Sequence, residues 1–133
     1  MAIKRFGVSL DSNLLEELDR IVSRDHHPNR SRAIGSMIKK QIIEEKWNSD
    51  EIVAGAIVIV YDHNKKELHE HVNGLQHEYH CLILAGQHIH IDEHNCLEVI
   101  SIRGKAYKLK KLVDKMNAIK SIKHVELVMT GTD

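Results

Sequence analysis

The chain has 133 residues, 42% of them hydrophobic, which is enough for a packed core in one or two small domains and excludes a disordered chain. Nineteen Lys and Arg offset nineteen Asp and Glu to a formal net charge of zero, so no global positive field advertises nucleic-acid binding and any such activity has to come from a local patch. Two cysteines are too few for a disulfide framework, whereas 11 histidines are the compositional outlier.

The first residues lack the uninterrupted apolar stretch of a signal peptide, and the most apolar later run, residues 52–61, is far too short to cross a bilayer. The expectation is a cytoplasmic protein without a membrane partner. Residues 3–10 alternate, with Phe6, Val8 and Leu10 on one face and Arg5, Gly7 and Ser9 on the other, which predicts a short half-buried strand. Asp11 and Ser12 offer capping oxygens to a helix that carries Leu14, Leu15, Leu18, Ile21 and Val22 at helical spacing and stops near Asp25. Past the single proline, Pro28, either Asn29 or Ser31 can cap a second helix with Ala33, Ile34, Met37, Ile38, Ile42 and Ile43 on its apolar face. One strand and two helices cannot satisfy the strand's own edges, so the segment needs a second copy of itself. Two chains pairing these strands antiparallel form a ribbon backed by four helices, with Arg5, Gly7 and Ser9 facing outward, and such a ribbon fits the DNA major groove.

After Trp47 and a polar link the period changes. Residues 52–61 form a β-branched run suited to a buried strand, and residues 65–80 read as a helix with Leu68, Val72, Leu75 and Tyr79 in one stripe. Strands are predicted over 81–91 and 96–103, a basic helix over 105–118 and a last strand over 125–129. The order βαββαβ is the ferredoxin-like plan of an antiparallel sheet with helices on one face. The fold class is α+β, divided into an N-terminal unit over 1–47, a linker at 48–51 and a second domain over 52–133.

The stretch QHIHIDEHNC, residues 87–96, carries the densest chemistry. His88 and His90 are two apart on a predicted strand, so both rings point to one face, and the turn through Asp92 to Asn95 folds Cys96 back beside them. Imidazole nitrogen with thiolate sulfur suits zinc, copper or nickel, and spacing does not choose among them. The bland alternative is that one histidine packs in the sheet and Cys96 is a small buried hydrophobe. His26, His27, His63, His69, His71, His94 and His124 read as solvated surface, while His77 and His80 are undecided on spacing.

Taken together, the RFGVSL strand, the NRS helix start, VYDHNKKEL, LQHEYH and HIHIDEHNCLEVI resemble the NikR family of nickel-responsive repressors over essentially the whole chain. The resemblance implies a ribbon-helix-helix DNA-binding domain, an intertwined dimer, fused to an ACT-like metal-sensing domain and assembled as a homotetramer, a dimer of dimers. It implies Ni(II) held in a square plane by His88, His90 and Cys96 of one chain and His77 of a neighbour. Gln76 and Glu98 match residues that support those ligands, where they would hold imidazole tautomers. Arg5, Gly7 and Ser9 match the groove-facing positions, with Arg5 the strongest candidate to read a guanine, Ser9 able to bond a base edge and Gly7 lacking the polar side chain usual there. Arg30 and Ser31 are placed to meet phosphate at a helix start.

The implied partner is palindromic double-stranded operator DNA, with no small-molecule substrate. Two positions of the second helix where the family carries carboxylates that help hold a cation are Arg32 and Ser36 here. The expectation is that Arg32 partly replaces that cation, leaving DNA affinity with little preference for potassium over sodium. Cys81 stands where an acidic residue is common and receives no role. Two other classes use the same cluster: a zinc enzyme with Glu93 or Glu98 activating water, disfavoured because the second domain is barely large enough to supply a substrate pocket, and a nickel chaperone or store, which has no use for an outward Arg5. The chain is therefore expected not to be an enzyme.

Overall fold

The computed structural model describes residues 2–132, and the chain divides into two compact units between Gln41 and Ile42. The division falls before the expected one at Trp47 because the end of the second helix belongs to the second unit: the Trp47 ring is buried there and its indole N–H donates to the Thr130 carbonyl at 3.1 Å.

In the first unit, residues 2–10 are exposed and belong to no helix or strand, so the strand predicted there is not formed within the single chain. A strand needs a hydrogen-bonding neighbour, and the described residues supply none. Helix α1 (Ser12–Arg24) starts where the Asp11 carboxylate accepts the Leu14 N–H at 3.0 Å. His26 follows it with φ 55, the left-handed turn that ends the helical run. Helix α2 (Arg30–Trp47) is capped by Asn29, whose side chain accepts the Arg32 N–H at 2.9 Å. Among the described residues of this unit only Leu18 of α1 and Ala33 of α2 are buried, while Ile3 is 93% and Phe6 75% exposed. Ile3, Phe6, Val8, Leu10, Leu18 and Ile38 line an open groove of about 910 Å³.

The second unit is a four-stranded antiparallel sheet of order β2-β3-β1-β4, built from β1 (Ile52–Asp62), β2 (Ile83–His90), β3 (Asn95–Lys105) and β4 (Ile122–Thr130). Helices α3 (Lys66–Glu78) and α4 (Ala106–Asn117) pack on one face. Alternation sorts the strands: Val53, Ile57, Ile59 and Tyr61 of β1 and Cys96, Ile100 and Ile102 of β3 are buried under Leu68, Val72 and Leu75 of α3 and Leu109, Leu112 and Met116 of α4. The opposite face is open, with Ile52, Ile89 and Val128 exposed. The strand expected over 81–91 is shorter, because residues His80–Leu82 form a 3-10 turn that carries the chain from α3 to the sheet edge. β3 and β4 run longer than expected, since pairing with β1 continues past their apolar centres.

Candidate metal centre

β2 is an edge strand paired only to β3, and the register sets His88 opposite Glu98 and His90 opposite Cys96. Because β1 sets Ile59 opposite Glu98 and Tyr61 opposite Cys96, all of these side chains lie on the helix-covered face. The hairpin that brings them together turns on Asp92, whose carboxylate accepts the backbone N–H of His94 at 2.9 Å and of Asn95 at 2.8 Å. The Asn95 side-chain amide, which donates to both Asp92 oxygens at 3.2 and 3.1 Å, and then those backbone bonds hold the Asp92 carboxyl down at about 2.

Glu98 is the buried charged residue of this region, 5% exposed, and its carboxylate accepts from three elements. The Tyr61 hydroxyl donates to Oε1 at 2.6 Å, the Gln76 amide of α3 donates to Oε2, and His88 Nδ1 lies 2.9 Å from Oε1. A carboxylate accepts, so in the neutral ring a proton on His88 Nδ1 satisfies this contact and leaves the Nε2 lone pair free. That is the tautomer a metal ligand needs, with its second nitrogen anchored by a carboxylate. Burial and then the Glu98 contact push the Tyr61 hydroxyl far above its ordinary range, so it remains a neutral donor.

Cys96 is fully buried. Burial pushes its thiol up, the Glu98 and Asp62 carboxylates add to that, and the Tyr61 hydroxyl opposes it. The free thiol therefore keeps its proton at neutral pH, and a cation that takes the sulfur must release that proton. The donor set of two imidazoles and one thiol on adjacent register positions fits a borderline-soft divalent ion. Even so, among the described residues no three His, Cys, Asp or Glu side chains of one chain form a group ready to hold a metal.

His77, near the end of α3, stacks beside His80 with ring centroids 6.0 Å apart, and the chain does not itself bring it into a group with His88, His90 and Cys96. Gln76 on the same helix does reach the centre, through Glu98. Sequence reasoning missed three neighbours. Tyr61 binds Glu98, His69 Nδ1 lies 3.4 Å from the Tyr61 hydroxyl, and the His63 ring stacks on His90 at 4.2 Å with its Nδ1 buried and without a hydrogen-bond partner. The pairing of the end of β1 with the start of β3 sets Tyr61 beside Glu98 and the packing of α3 brings His69 to Tyr61, and no local periodicity encodes either.

The residues expected to meet DNA lie in the first unit. Arg5, Gly7 and Ser9 are exposed in the segment 2–10, and Ser31 is exposed in the first turn of α2. The Arg30 guanidinium is engaged by the Asp19 carboxylate in a two-pronged ion pair at 2.8 and 2.9 Å, which holds that carboxyl below its ordinary range.

Residues 54–130 match the family model described as the NikR C terminal nickel binding domain. A protein of Desulfovibrio desulfuricans provisionally named nickel-responsive regulator is 44% identical over 130 residues, covering 98% of this chain and 94% of that protein. One of the same name from Pyrococcus furiosus is 45% identical over 133 residues, covering 99% of this chain and 96% of its own. Among solved structures, an uncharacterized protein of Thermotoga maritima superposes with a TM-score of 0.55 at 19% identity, over 59% of this chain and 98% of that one, a likeness of fold alone.

Proposed function

The chain belongs to the NikR family of nickel-responsive regulators, and from that premise we propose that it is a regulator, not an enzyme, whose affinity for operator DNA is set by Ni(II). His88, His90 and Cys96 of one chain and His77 of a neighbouring chain hold the ion, with Glu98 and Gln76 fixing the ligand geometry. The observation that carries this reading is the buried Glu98 carboxylate, which anchors His88 Nδ1 at 2.9 Å and bonds Gln76 of α3, the residue preceding His77. A carboxylate that holds both a ligand and the helix bearing another transmits ion occupancy to α3. Dividing the ligands between chains makes metal binding an ordering event for the assembly.

The N-terminal unit supports the DNA half of the reading. A unit whose described residues bury only two hydrophobic side chains and expose Ile3, Phe6, Val8 and Ile38 along one groove is completed by an intertwined second copy, as a ribbon-helix-helix. Residues 3–10 then pair across the dimer with Arg5 and Ser9 at the groove-facing surface, and Ser31 and Arg30 approach phosphate, Arg30 by exchanging its Asp19 partner. Two such dimers on a tetrameric core engage both half-sites of a palindrome, which adds avidity. Linkage requires nickel to raise operator affinity by the factor that operator raises nickel affinity.

Complementation tests the divided ligand set. His77→Ala and Cys96→Ser chains each lack nickel binding with sulfur-to-nickel absorption, and co-refolded together they regain it in mixed sites that combine the intact His77 of one chain with the intact hairpin of the other. Absence of any recovery in verified hetero-oligomers contradicts the division between chains.

A further inference from the structure

Residues 48–51, expected as a linker, are bonded into the second unit. Ser49 Oγ donates to the Lys46 carbonyl at 2.7 Å and accepts the Glu51 N–H at 3.1 Å. The Glu51 carbonyl accepts the Ala106 N–H at 3.1 Å, and Lys110 Nζ donates to Asn48 Oδ1 at 2.8 Å. A segment held in this way is a turn, not a slack tether.

The fastening starts earlier, at the end of α2. Trp47, the single tryptophan of the chain, is 1% exposed. Its indole N–H bonds the Thr130 carbonyl at the end of β4, and its ring lies against Gly55 of β1, where a Cβ would be only 3.0 Å from it. Because Thr130 pairs with Ala54, these two contacts fix the indole to one corner of the sheet. One turn earlier, Ile43 packs against the same core. Helix α2 is continuous from Arg30 to Trp47, so the helix that opens with Arg30 and Ser31 closes in the unit that carries the candidate metal centre.

We propose that Trp47 is a positioning residue for the DNA response: it fixes the last turn of α2 to the β1–β4 corner, so that nickel occupancy acts on the helix bearing Arg30 and Ser31. This role rests on the regulatory reading above. Two sites share a coupling free energy only through an element that both of them bias, and a loose connection keeps two units near one another without passing on a change in either. Trp47 belongs neither to the proposed nickel ligands nor to the proposed DNA-facing residues, so its loss separates coupling from binding.

The native protein and two variants test the role, each titrated with nickel and then with a palindromic duplex selected by the nickel-loaded native protein. Trp47→Ala removes the anchor, and a Gly-Gly insertion after Gln41 leaves the anchor whole while interrupting the helix before it. The expected result is nickel affinity within about twofold of native in both, with the nickel-dependent gain in operator affinity falling from about tenfold or more to about twofold or less. Trp47→Phe, which keeps an aromatic ring at the corner, recovers most of the gain. As the single tryptophan, Trp47 also reports on its own anchorage: emission of the metal-free native chain should be that of a buried indole, shielded from acrylamide. Emission of a water-exposed, freely quenched indole overturns the anchor. An undiminished gain in the insertion variant, which decides the matter even where Trp47→Ala does not fold, overturns the positioning role alone. Absence of any gain in the native protein refutes the regulatory reading, and this role with it.

Discussion

Glu98 accepts from Tyr61, Gln76 and His88 at once, and each of those donors loses its partner if the carboxylate is removed. Glu98→Ala should lower the stability of the metal-free chain by ~1–3 kcal/mol, the cost of leaving a buried donor unpaired. It should also weaken nickel binding by about 10–100-fold, the usual effect of losing a group that orients a ligand. Urea unfolding and nickel titration read the two effects separately, and an unchanged nickel affinity would contradict the role given to Glu98. Asp92 provides the pH signature of the hairpin. Its folded value of about 2 lies below the ordinary carboxyl value, so its contribution to the turn is fully present above about 4 and is lost as pH falls through about 2. A carbon-detected titration of the metal-free chain should show the Asp92 carboxyl turning over near 2, and Asp92→Ala should remove the matching acid-induced change in the amide resonances of His94 and Asn95. A carboxyl titrating near 4 would mean that the turn does not hold it.

At the scale of elements, β1 is pinned between its neighbours by Gly55. A Cβ there would collide with the Val128 carbonyl of β4 and lie 3.0 Å from the Trp47 ring, so neither backbone nor indole can yield cheaply. At Gly104 of β3 the nearest atom is Leu82 Cδ2 at 2.6 Å, the end of a side chain able to turn aside. Gly55→Ala should therefore destabilise the second unit by ~2–3 kcal/mol and Gly104→Ala by about 1 kcal/mol or less, compared by denaturant midpoints. Equal losses at the two positions would contradict the strand packing. The elements of this unit were legible in the sequence because Ile57, Ile59 and Tyr61 alternate toward one buried face and Leu68, Val72 and Leu75 repeat at helical spacing. The hairpin donors were legible for the same reason, since a two-residue spacing puts His88 and His90 on one face whatever the rest of the fold does. Tyr61 was not, because its approach to Glu98 depends on β1 pairing with β3 across more than thirty intervening residues, and neither were His63 and His69, whose contacts with His90 and Tyr61 depend on where the tertiary fold brings the hairpin and α3. The N-terminal strand is not formed for a third reason: its alternation is genuine, but the described residues offer it no hydrogen-bonding neighbour.

On the scale of the whole molecule, two surfaces call for covering. The groove of the first unit exposes Phe6 and Val8, and the open face of the sheet exposes Ile52, Ile89 and Val128. If residues 3–10 pair between chains with Val8 inward, Val8→Asp buries an unpaired charge, and the expected outcome is loss of DNA binding with nickel binding by the second unit retained. Sedimentation of this variant should show failure of the N-terminal pairing, and native DNA affinity in it would contradict the ribbon. Arg5→Ala, on the outward face, should leave assembly intact while costing ~1–3 kcal/mol of operator affinity. The most direct test of the central claim is a titration of a palindromic duplex, selected from a random pool by the nickel-loaded protein, with the metal-free and nickel-loaded forms at one fixed salt concentration. The account predicts that loading tightens binding about tenfold or more, and that the duplex tightens nickel by the same factor. Equal affinity of the loaded and metal-free proteins for that duplex would contradict it.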